Sequence, residues 1–444
     1  MTRTRGSRAE RPARGRDRTP RPLPREPVEA EVDGFTHGGE GVARVEGKAV
    51  FVPGTLPDER VVLRIVDDRA RWARGELVQV LTASPDRVAP PCPYVPECGG
   101  CDLQHASPDA QRRLKRRVVR EQLQRLGAID DPPVEACHAV GPDTGYRTHA
   151  RLHAAADGRL GFHRAGSHEA VPIERCLVLS AAAQAVRDGV GDATGASEVV
   201  VRAHDATRTA AAVLTPGPGP LKLPEGEFDL LLTQPDGSLV PMRGDGVLAE
   251  QVAGLAYRFD AGSFFQVSAE GAAALIDEVL AACGRVAGAL VWDLYAGVGL
   301  LSLPLVAAGA EVVAVEADER AAAHARGNAA LAGLDLEVVA ADAGAFVRGA
   351  LGGDAHSDPP AGWAPGDPPD LVVLDPPRTG AGTDVVAGLA ALTPARIVYV
   401  ACDVAALARD SRALVDHGYR MSTAVPLDLF PMTHHVEVVA TFVR

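Results

Sequence analysis

Three side chains able to do covalent or acid–base chemistry occur at apolar, strand-like segments in the C-terminal part of the chain. Asp375 follows the apolar run 371–374, Cys402 follows the run 396–401, and Glu437 stands between two valines. A cysteine at the carboxyl end of a central parallel strand lies where such sheets bind ligands, and it becomes a nucleophile if a neighbour lowers its pKa. A glutamate in a valine-rich strand is costly unless paired or functional, so we expect a general base. The alternatives are an inert buried thiol and, for the Asp-Pro-Pro motif, a plain strand exit.

A glycine-rich turn upstream of these segments is typical of a cofactor site. The apolar strand 290–294 leads into Gly297-Val298-Gly299, and Glu316 ends the next strand. Such a turn lets a ligand approach the backbone and the following helix, and an acidic residue on the second strand binds ribose hydroxyls. Nicotinamide and flavin enzymes use similar turns. The further carboxylates Asp293 and Asp342 favour S-adenosylmethionine, because they would repel a pyrophosphate.

The spacing of Cys92, Cys98 and Cys101, C-x5-C-x2-C, is typical of a metal site. Four thiolates hold either a structural zinc ion or an iron–sulfur cluster, and the spacing leaves both open. Cys176 is the candidate for the fourth ligand, and Cys137 competes with it.

The elements around these residues divide the chain into four segments. Residues 1–27 contain nine arginines and predict a disordered basic arm. Short alternating strands at residues 28–82 predict a small β-barrel, which would bind single-stranded nucleic acid or pack against protein. Residues 83–262 predict a mixed α/β domain, and residues 263–444 alternate helix with apolar strand, as in a doubly wound Rossmann-like sheet. Within that last segment, the Gly- and Pro-rich stretch 352–370 predicts an exposed insertion.

A basic helix is predicted between Ser107 and Leu126, with Ser107 as its N-cap and Gly127 as its stop. Its apolar side chains fall near one face, and the opposite face would bind RNA or be solvated. The basic side chains are Arg112, Arg113, Lys115, Arg116, Arg117, Arg120 and Arg125.

The composition of the 444 residues excludes several classes of protein. No apolar run is long enough to cross a bilayer, and the N-terminus lacks the apolar core of a signal peptide, so we expect a cytoplasmic protein. Seven cysteines spread over so long a chain argue against a disulfide scaffold. The net charge of −13 conceals 24 basic against 18 acidic residues in the first 125, so nucleic-acid binding is not excluded.

Together these motifs resemble the RNA uracil-5-methyltransferase family, which includes cluster-containing 23S ribosomal RNA enzymes and their transfer RNA relatives. The resemblance extends over nearly the whole chain after residue 27. It rests on Cys92-Pro93-Tyr94, Cys98-Gly99-Gly100-Cys101, Gln104-His105, Phe264-Phe265-Gln266-Val267, the stretch 293–299, Asp375-Pro376-Pro377-Arg378, Cys402-Asp403 and the stretch 430–437.

The resemblance implies an α/β architecture and a set of ligands. The C-terminal segment would be a class I methyltransferase domain, the central segment would carry a cluster, and the barrel would be a TRAM-like RNA-binding domain. A 4Fe–4S cluster, rather than zinc, would be held by Cys92, Cys98, Cys101 and Cys176. The contacts to S-adenosylmethionine would come from Gln266, Tyr295, Glu316, Asp342 and Asp375.

The resemblance also implies an activity, the methylation of C5 of a uridine in RNA. Cys402 would add to C6 as the nucleophile, and Glu437 would remove the C5 proton. Ribosomal RNA is the favoured substrate, transfer RNA is the alternative, and we expect a monomer. Leu300 replaces a polar asparagine of some members, so one cofactor contact would be missing or supplied by backbone. A non-catalytic RNA-binding protein is the competing hypothesis, but it predicts loss of Cys402, Glu437 or Asp375, and all three are present.

Overall fold

The computed structural model describes residues 23–95, 97–352 and 367–444. The described chain forms two compact units, residues 23–34 with 40–85, and residues 35–39 with those from 86 to 444. Most of the predicted basic arm and of the predicted insertion at 352–370 lies outside the described residues. Within the described part, no helix is both long and apolar enough to span a membrane.

The first unit contains a closed five-stranded barrel, which confirms the predicted small β-barrel. Successive side chains of a strand face opposite sides, so alternate residues such as Val50, Val61 and Leu63 fill the interior and are fully buried. At Gly41 a Cβ would lie 2.1 Å from Thr55 Oγ1, so this close approach requires glycine. The barrel order is β1-β2-β3-β5-β4, with β1 (Val28–Phe35), β2 (Glu40–Val45), β3 (Lys48–Pro53), β4 (Glu59–Asp68) and β5 (Trp72–Thr82).

In the second unit, the predicted helix precedes a seven-stranded sheet, called here the central sheet. The Ser107 hydroxyl caps the helix by accepting a hydrogen bond from the Ala110 N–H. The elements are α1 (Pro108–Arg125), β6 (His138–Ala139), β7 (His149–Ala154), β8 (Leu160–His163), β9 (Ala170–Pro172), α2 (Ala181–Val190), β10 (Ala196–His204), β11 (Thr209–Pro216), β12 (Asp229–Thr233), β13 (Leu239–Arg243), β14 (Val247–Val252) and β15 (Leu255–Asp260). The central sheet has the order β13-β12-β11-β10-β7-β8-β9, and β14 pairs with β15.

The C-terminal sheet has eight strands in the order β18-β17-β16-β19-β20-β22-β21-β6. Its elements are α3 (Ala269–Cys283), β16 (Leu290–Leu294), α4 (Ser302–Ala307), β17 (Glu311–Glu316), α5 (Glu319–Ala332), β18 (Glu337–Ala340), α6 (Ala343–Ala350), β19 (Leu371–Leu374), α7 (Thr383–Leu392), β20 (Arg396–Ala401), α8 (Val404–Asp416), β21 (Arg420–Asp428) and β22 (Glu437–Val443). Strands β16 to β20 are parallel, and the strand order reverses between β16 and β19. This confirms the doubly wound sheet, and ligands bind such sheets at the reversal.

Two elements from early in the chain are built into the C-terminal part of the fold. Helix α1 packs against the C-terminal sheet, and strand β6 pairs within it. Val119 and Leu123 of α1 are fully buried in the core that includes α8 and the C-terminal strands. Strand β6 pairs in parallel with β21, with His138 opposite Leu427. The domain boundary predicted near residue 263 therefore lies inside one compact unit, because the apolar face of α1 is buried against C-terminal elements.

Candidate active site

The carboxyl ends of β16 and β19 border a cleft of about 400 Å³. The turn after β16 has positive φ angles at Tyr295 (64°), Gly297 (57°) and Gly299 (89°). A Cβ at Gly299 would lie 2.5 Å from Leu303 Cδ1, so glycine is needed for the turn to lie against α4. The cleft is lined by Phe264, Phe265, Gln266, Asp293, Tyr295, Ala296, Gly297, Val298, Leu300, Leu301 and Asp375.

Two carboxylates line this cleft. Asp293 is 1% exposed and accepts a hydrogen bond from the Ser302 hydroxyl, but its Oδ1 has no hydrogen-bond partner in the described part of the chain. Burial raises the pKa of Asp293 to about 7, and burial also raises the pKa of Asp375 to about 7. A buried, unpartnered carboxylate oxygen beside a cleft fits a cationic ligand, because added positive charge would favour the ionised form of both groups.

The segment that carries Gln266 is fixed by a buried arginine. Gln266 is 4% exposed and lines the cleft. Arg202 of β10 is equally buried and donates hydrogen bonds to the carbonyls of Ala261, at 3.0 Å, and Ser263. The central sheet thus anchors the residues that lead into this wall of the cleft.

Glu316 and Asp342 lie at the border of the cleft rather than in its wall. Glu316, at the end of β17, accepts a hydrogen bond of 2.8 Å from the N–H of Gly297. Asp342 caps α6 by accepting one of 2.9 Å from the N–H of Ala345. Burial and the charge of Asp342 together raise the pKa of Tyr295 to about 12, so Asp342 is also near the cleft. The expected cofactor residues that line the cleft are Gln266, Tyr295 and Asp375.

Cys402 and Glu437 are neighbours across two antiparallel strands. Strand β20 pairs with β22, with Ala401 opposite Val438, so the next position on each strand is Cys402 and Glu437. Cys402 is half-buried, and Glu437 is 4% exposed. The two residues singled out as nucleophile and base in the sequence are therefore brought together by the register of the sheet.

The groups around Cys402 shift the pKa of its thiol upwards rather than downwards in the free protein. Burial, with Glu437 and Asp375 acting in the same direction, raises the pKa of the Cys402 thiol to about 11. Burial and the charge of Asp375 also hold the pKa of Glu437 well above its usual range. Arg378 opposes both shifts, because its positive charge favours the ionised forms. The sequence alone identified Arg378 only as the last residue of the Asp-Pro-Pro-Arg motif and gave it no role of its own. Further positive charge near either group would favour its ionised form.

A second cavity, of about 450 Å³, has the four predicted cysteine ligands in its wall. They are Cys92, Cys98, Cys101 and Cys176, whereas the competing Cys137 packs against the core of the C-terminal sheet. The N–H of Gly100 donates to Cys98 Sγ at 3.4 Å, and the N–H groups of Val178 and Leu179 donate to the sulfur of Cys176. Among the described residues, no three His, Cys, Asp or Glu side chains lie close enough to hold a single metal ion.

The basic face of α1 is largely bound to the protein itself. Lys115, expected on the RNA-facing or solvated stripe, forms a buried ion pair with Asp428 and donates to the Phe430 carbonyl at 3.0 Å. A buried ammonium must be paired, and Asp428 provides that partner. The arginine pairs along the helix are Arg112 with Asp109 and Asp143, Arg113 with Asp86, Arg117 with Glu121 and Arg120 with Asp131.

Known proteins resemble this chain along almost its whole length. Two family models match it, the TRAM domain at residues 23–78 and the tRNA (uracil-5-)-methyltransferase model at residues 245–443. The 23S rRNA (uracil(1939)-C(5))-methyltransferase of Alkalilimnicola ehrlichii is 36% identical, over 96% of this chain and 98% of that protein. The chain belongs to the RNA (uracil-5-)-methyltransferase family. An uncharacterized RNA methyltransferase of Streptomyces coelicolor is 38% identical, over 94% of this chain and 92% of that protein.

The same architecture occurs in a solved structure. The tRNA (uracil-54, C5)-methyltransferase of Pyrococcus abyssi, in complex with S-adenosyl-L-homocysteine, matches with a TM-score of 0.72 and 23% identity, covering 94% of this chain and 100% of that one. At this identity the likeness establishes the fold alone. The chain is thus an S-adenosylmethionine-dependent RNA (uracil-5-)-methyltransferase with a class I methyltransferase fold and an N-terminal TRAM domain.

Proposed function

We propose that this enzyme methylates C5 of a uridine in 23S ribosomal RNA through a transient bond between Cys402 and C6. The observation that carries the proposal is the adjacency of Cys402 and Glu437, close to Asp375 in the wall of the cleft. C5 of uracil is too weak a nucleophile to accept a methyl group unaided. A thiol and a carboxyl group at that position provide the covalent activation and the proton acceptor that the reaction needs.

The residues of the chain would act in two steps. The Cys402 thiolate adds to C6 of the uracil, and the electron pair of the C5–C6 double bond makes C5 electron-rich. S-Adenosylmethionine, when bound, supplies the methyl group as an electrophile. Glu437 then accepts the C5 proton, the C5–C6 double bond re-forms, and the C6–S bond breaks to return the electron pair to Cys402. The base must leave its stack to reach this site, so we expect a flipped uridine in a loop or single strand.

S-Adenosylmethionine fits the cleft because of the polar side chains that the cleft offers. The unpartnered Oδ1 of Asp293 suits a cationic group, and Glu316 at the end of β17 suits the ribose hydroxyls. Gln266, Tyr295 and Asp375 would complete the contacts, with Asp342 at the border. The side chain of Leu300 offers no polar group there, so the backbone of the turn would supply that contact.

We also propose that a 4Fe–4S cluster occupies the cysteine cavity. All four thiols line one cavity, and four cysteine thiolates are the ligand set of a 4Fe–4S cluster. Backbone N–H donors reach two of the sulfurs, as is common around clusters. Burial raises the pKa of Cys101 to about 12, so metal would have to displace the proton. The proposed reaction has no redox step, so the cluster would be structural.

RNA would be held in part by the barrel. The rings of Phe51 and Trp72 are 6.0 Å apart, and Trp72 is 38% exposed next to Arg71. Aromatic and cationic side chains together bind single strands by stacking and charge attraction. The name of the Alkalilimnicola relative supports ribosomal RNA as the substrate, and the name of the Pyrococcus structure makes transfer RNA the alternative.

The test uses anaerobically purified protein, methyl-labelled S-adenosylmethionine and total RNA from cells that lack this gene. Label in 5-methyluridine of 23S rRNA, lost in Cys402→Ala, is the expected result. Label in transfer RNA would replace the substrate, and label in another nucleoside would overturn the mechanism.

A further inference from the structure

The irregular segment 430–434, just before Glu437, is held by residues from the first half of the chain. Met432 in this segment has φ +69°, an uncommon conformation for a residue with a side chain. The Tyr146 hydroxyl donates to the Pro431 carbonyl at 3.1 Å, and the side chain of Gln111 accepts a hydrogen bond from the Met432 N–H at 2.8 Å. The strained turn is thus kept in place by contacts outside itself.

Most of these contacts come from the loop that carries Cys92, Cys98 and Cys101, called here the cysteine loop. Asp102 directly follows Cys101, and its carboxylate accepts a hydrogen bond of 2.8 Å from the His434 N–H and pairs with His434 Nδ1. The N–H groups of Asp102 and Leu103 both donate to the Met432 carbonyl, at 3.2 and 3.0 Å. The cysteine loop and the segment before Glu437 are therefore joined by four hydrogen bonds through one residue and its neighbour.

The path from this joint to the proposed base is short. His434 is followed by His435 and by Val436, which is 3% exposed, and Glu437 begins β22. His435 contacts Phe430 with its ring edge on, at 5.9 Å between ring centroids, so the segment folds back on itself. Because this short segment is closely packed, a displacement of His434 would be transmitted to Glu437.

We propose that Asp102 is a positioning residue that fixes Glu437 through His434 and so couples the cysteine site to the elimination step. The inference rests on the proposed function of Glu437. In that step Glu437 accepts the C5 proton, the C–H electrons form the C5–C6 double bond, and the C6–S electrons return to Cys402. A misplaced Glu437 slows this step while leaving thiol addition and cofactor binding intact. The enzyme then accumulates as a covalent complex with methylated RNA.

The test compares Asp102→Ala and Asp102→Asn with the matched control Asp109→Ala, which removes an exposed carboxylate from the first turn of α1. Single-turnover methylation is followed on denaturing gels, which retain the enzyme–RNA adduct. For Asp102→Ala we expect adduct breakdown to slow by about 10- to 100-fold. The Kd for S-adenosylmethionine and the bound iron should match those of the wild type. Asp102→Asn keeps an acceptor for the His434 N–H, so its rate of adduct breakdown should lie between those of Asp102→Ala and the wild type. The rate for Asp109→Ala should equal that of the wild type.

The outcomes separate the two proposals. If wild-type protein forms no 5-methyluridine, the proposed function fails and this inference fails with it. If the wild type is active and both Asp102 variants release RNA at its rate, the positioning role alone is overturned. It is overturned equally if the variants lose iron and cofactor affinity together with activity, because Asp102 would then be a purely structural residue. Should Asp102→Ala not fold, Asp102→Asn and His434→Gln decide by the same adduct measurement.

Discussion

The cleft at β16 and β19 takes its walls mainly from strand ends that are neighbours in one sheet, whereas the cysteine cavity takes its ligands from two loops far apart in the chain. The cleft is rich in carboxylates, and Asp293 and Asp375 are held protonated by burial up to about neutral pH. In the cysteine cavity, burial raises the pKa values of the Cys98, Cys101 and Cys176 thiols. Both sites therefore hold acidic groups whose ionised forms would be favoured by added positive charge.

The difference between them lies in what supplies that charge and when. In the cleft the positive charge would arrive with each molecule of methyl donor and leave after each turnover, so binding of the donor must be reversible. In the cysteine cavity it would arrive once, with the metal, and remain as part of the fold. Loss of the ligand at one site should consequently leave ligand binding at the other site intact, and the following changes test that separation.

The largest effect is expected from Cys402→Ala. Without the thiol, C5 cannot be activated, and the rate of methyl transfer should fall by roughly 10⁴-fold or more. The Kd for S-adenosylmethionine and the iron content should remain at wild-type values, as measured by calorimetry and metal analysis. Residual transfer within about tenfold of the wild type would contradict covalent activation.

Cys176→Ser should break the other site. We expect bound iron after anaerobic reconstitution, and the absorbance of the cluster, to be lost, because serine is a poor replacement for a thiolate ligand. The matched control is Cys137→Ser, whose sulfur lies against the C-terminal core and outside the cavity. Equal iron loss in both variants would show that the cavity does not define the ligand set.

A change in the buried ion pair of α1 should affect stability rather than the binding of either ligand. Lys115→Met leaves the buried Asp428 with only Arg112, at 4.0 Å, and we expect the free energy of unfolding to fall by about 3–5 kcal/mol. Arg113→Ala removes an exposed pair on the same helix and should cost at most about 1 kcal/mol. Chemical denaturation measures both, and similar losses would mean that the buried pair contributes no more than a surface pair.

The smallest effect is a pH dependence confined to the cleft. Asp293 and Asp375 lose their protons near pH 7, and a bound cation favours the ionised forms, so the affinity for S-adenosylmethionine should rise with pH. We expect about a tenfold gain between pH 6 and pH 8 by calorimetry. S-Adenosylhomocysteine lacks the sulfonium charge and should show a shallower slope. Asp293→Asn should flatten the dependence, and equal slopes for both ligands would refute the role of the carboxylates.

Stability of the ligand-free protein should change in the opposite direction. Because burial raises the pKa of Asp293 above that of the unfolded chain, the folded state binds more protons between about pH 4 and pH 7. Its contribution to stability is therefore present at low pH and is lost as pH rises towards 7. Asp293→Asn should reduce this loss, and thermal unfolding at pH 5 and pH 7 measures it.

The sequence predicted those parts of the molecule that depend on local periodicity. The strands before Gly297, Asp375 and Cys402 are read from apolar runs, and their carboxyl ends meet because the sheet is parallel. The meeting of Cys402 with Glu437 depends on the antiparallel register of β20 and β22, which no single segment specifies. Likewise, nothing local in the basic helix distinguishes Lys115, whose buried partner lies more than 300 residues away, from its arginine neighbours.

The early position of strand β6 in the chain limits where this enzyme can be truncated or joined to part of a relative. Strand β6 is synthesised long before β21, yet it forms the outer edge of the sheet that β21 would otherwise end. A gene fragment beginning at residue 263 would therefore express a catalytic half with an open strand edge and with the apolar surface beneath α1 uncovered, and such edges recruit other chains. This catalytic half could therefore not be transferred by itself to another protein, in evolution or in the laboratory. A productive chimera would have to carry its own copy of residues 108–139.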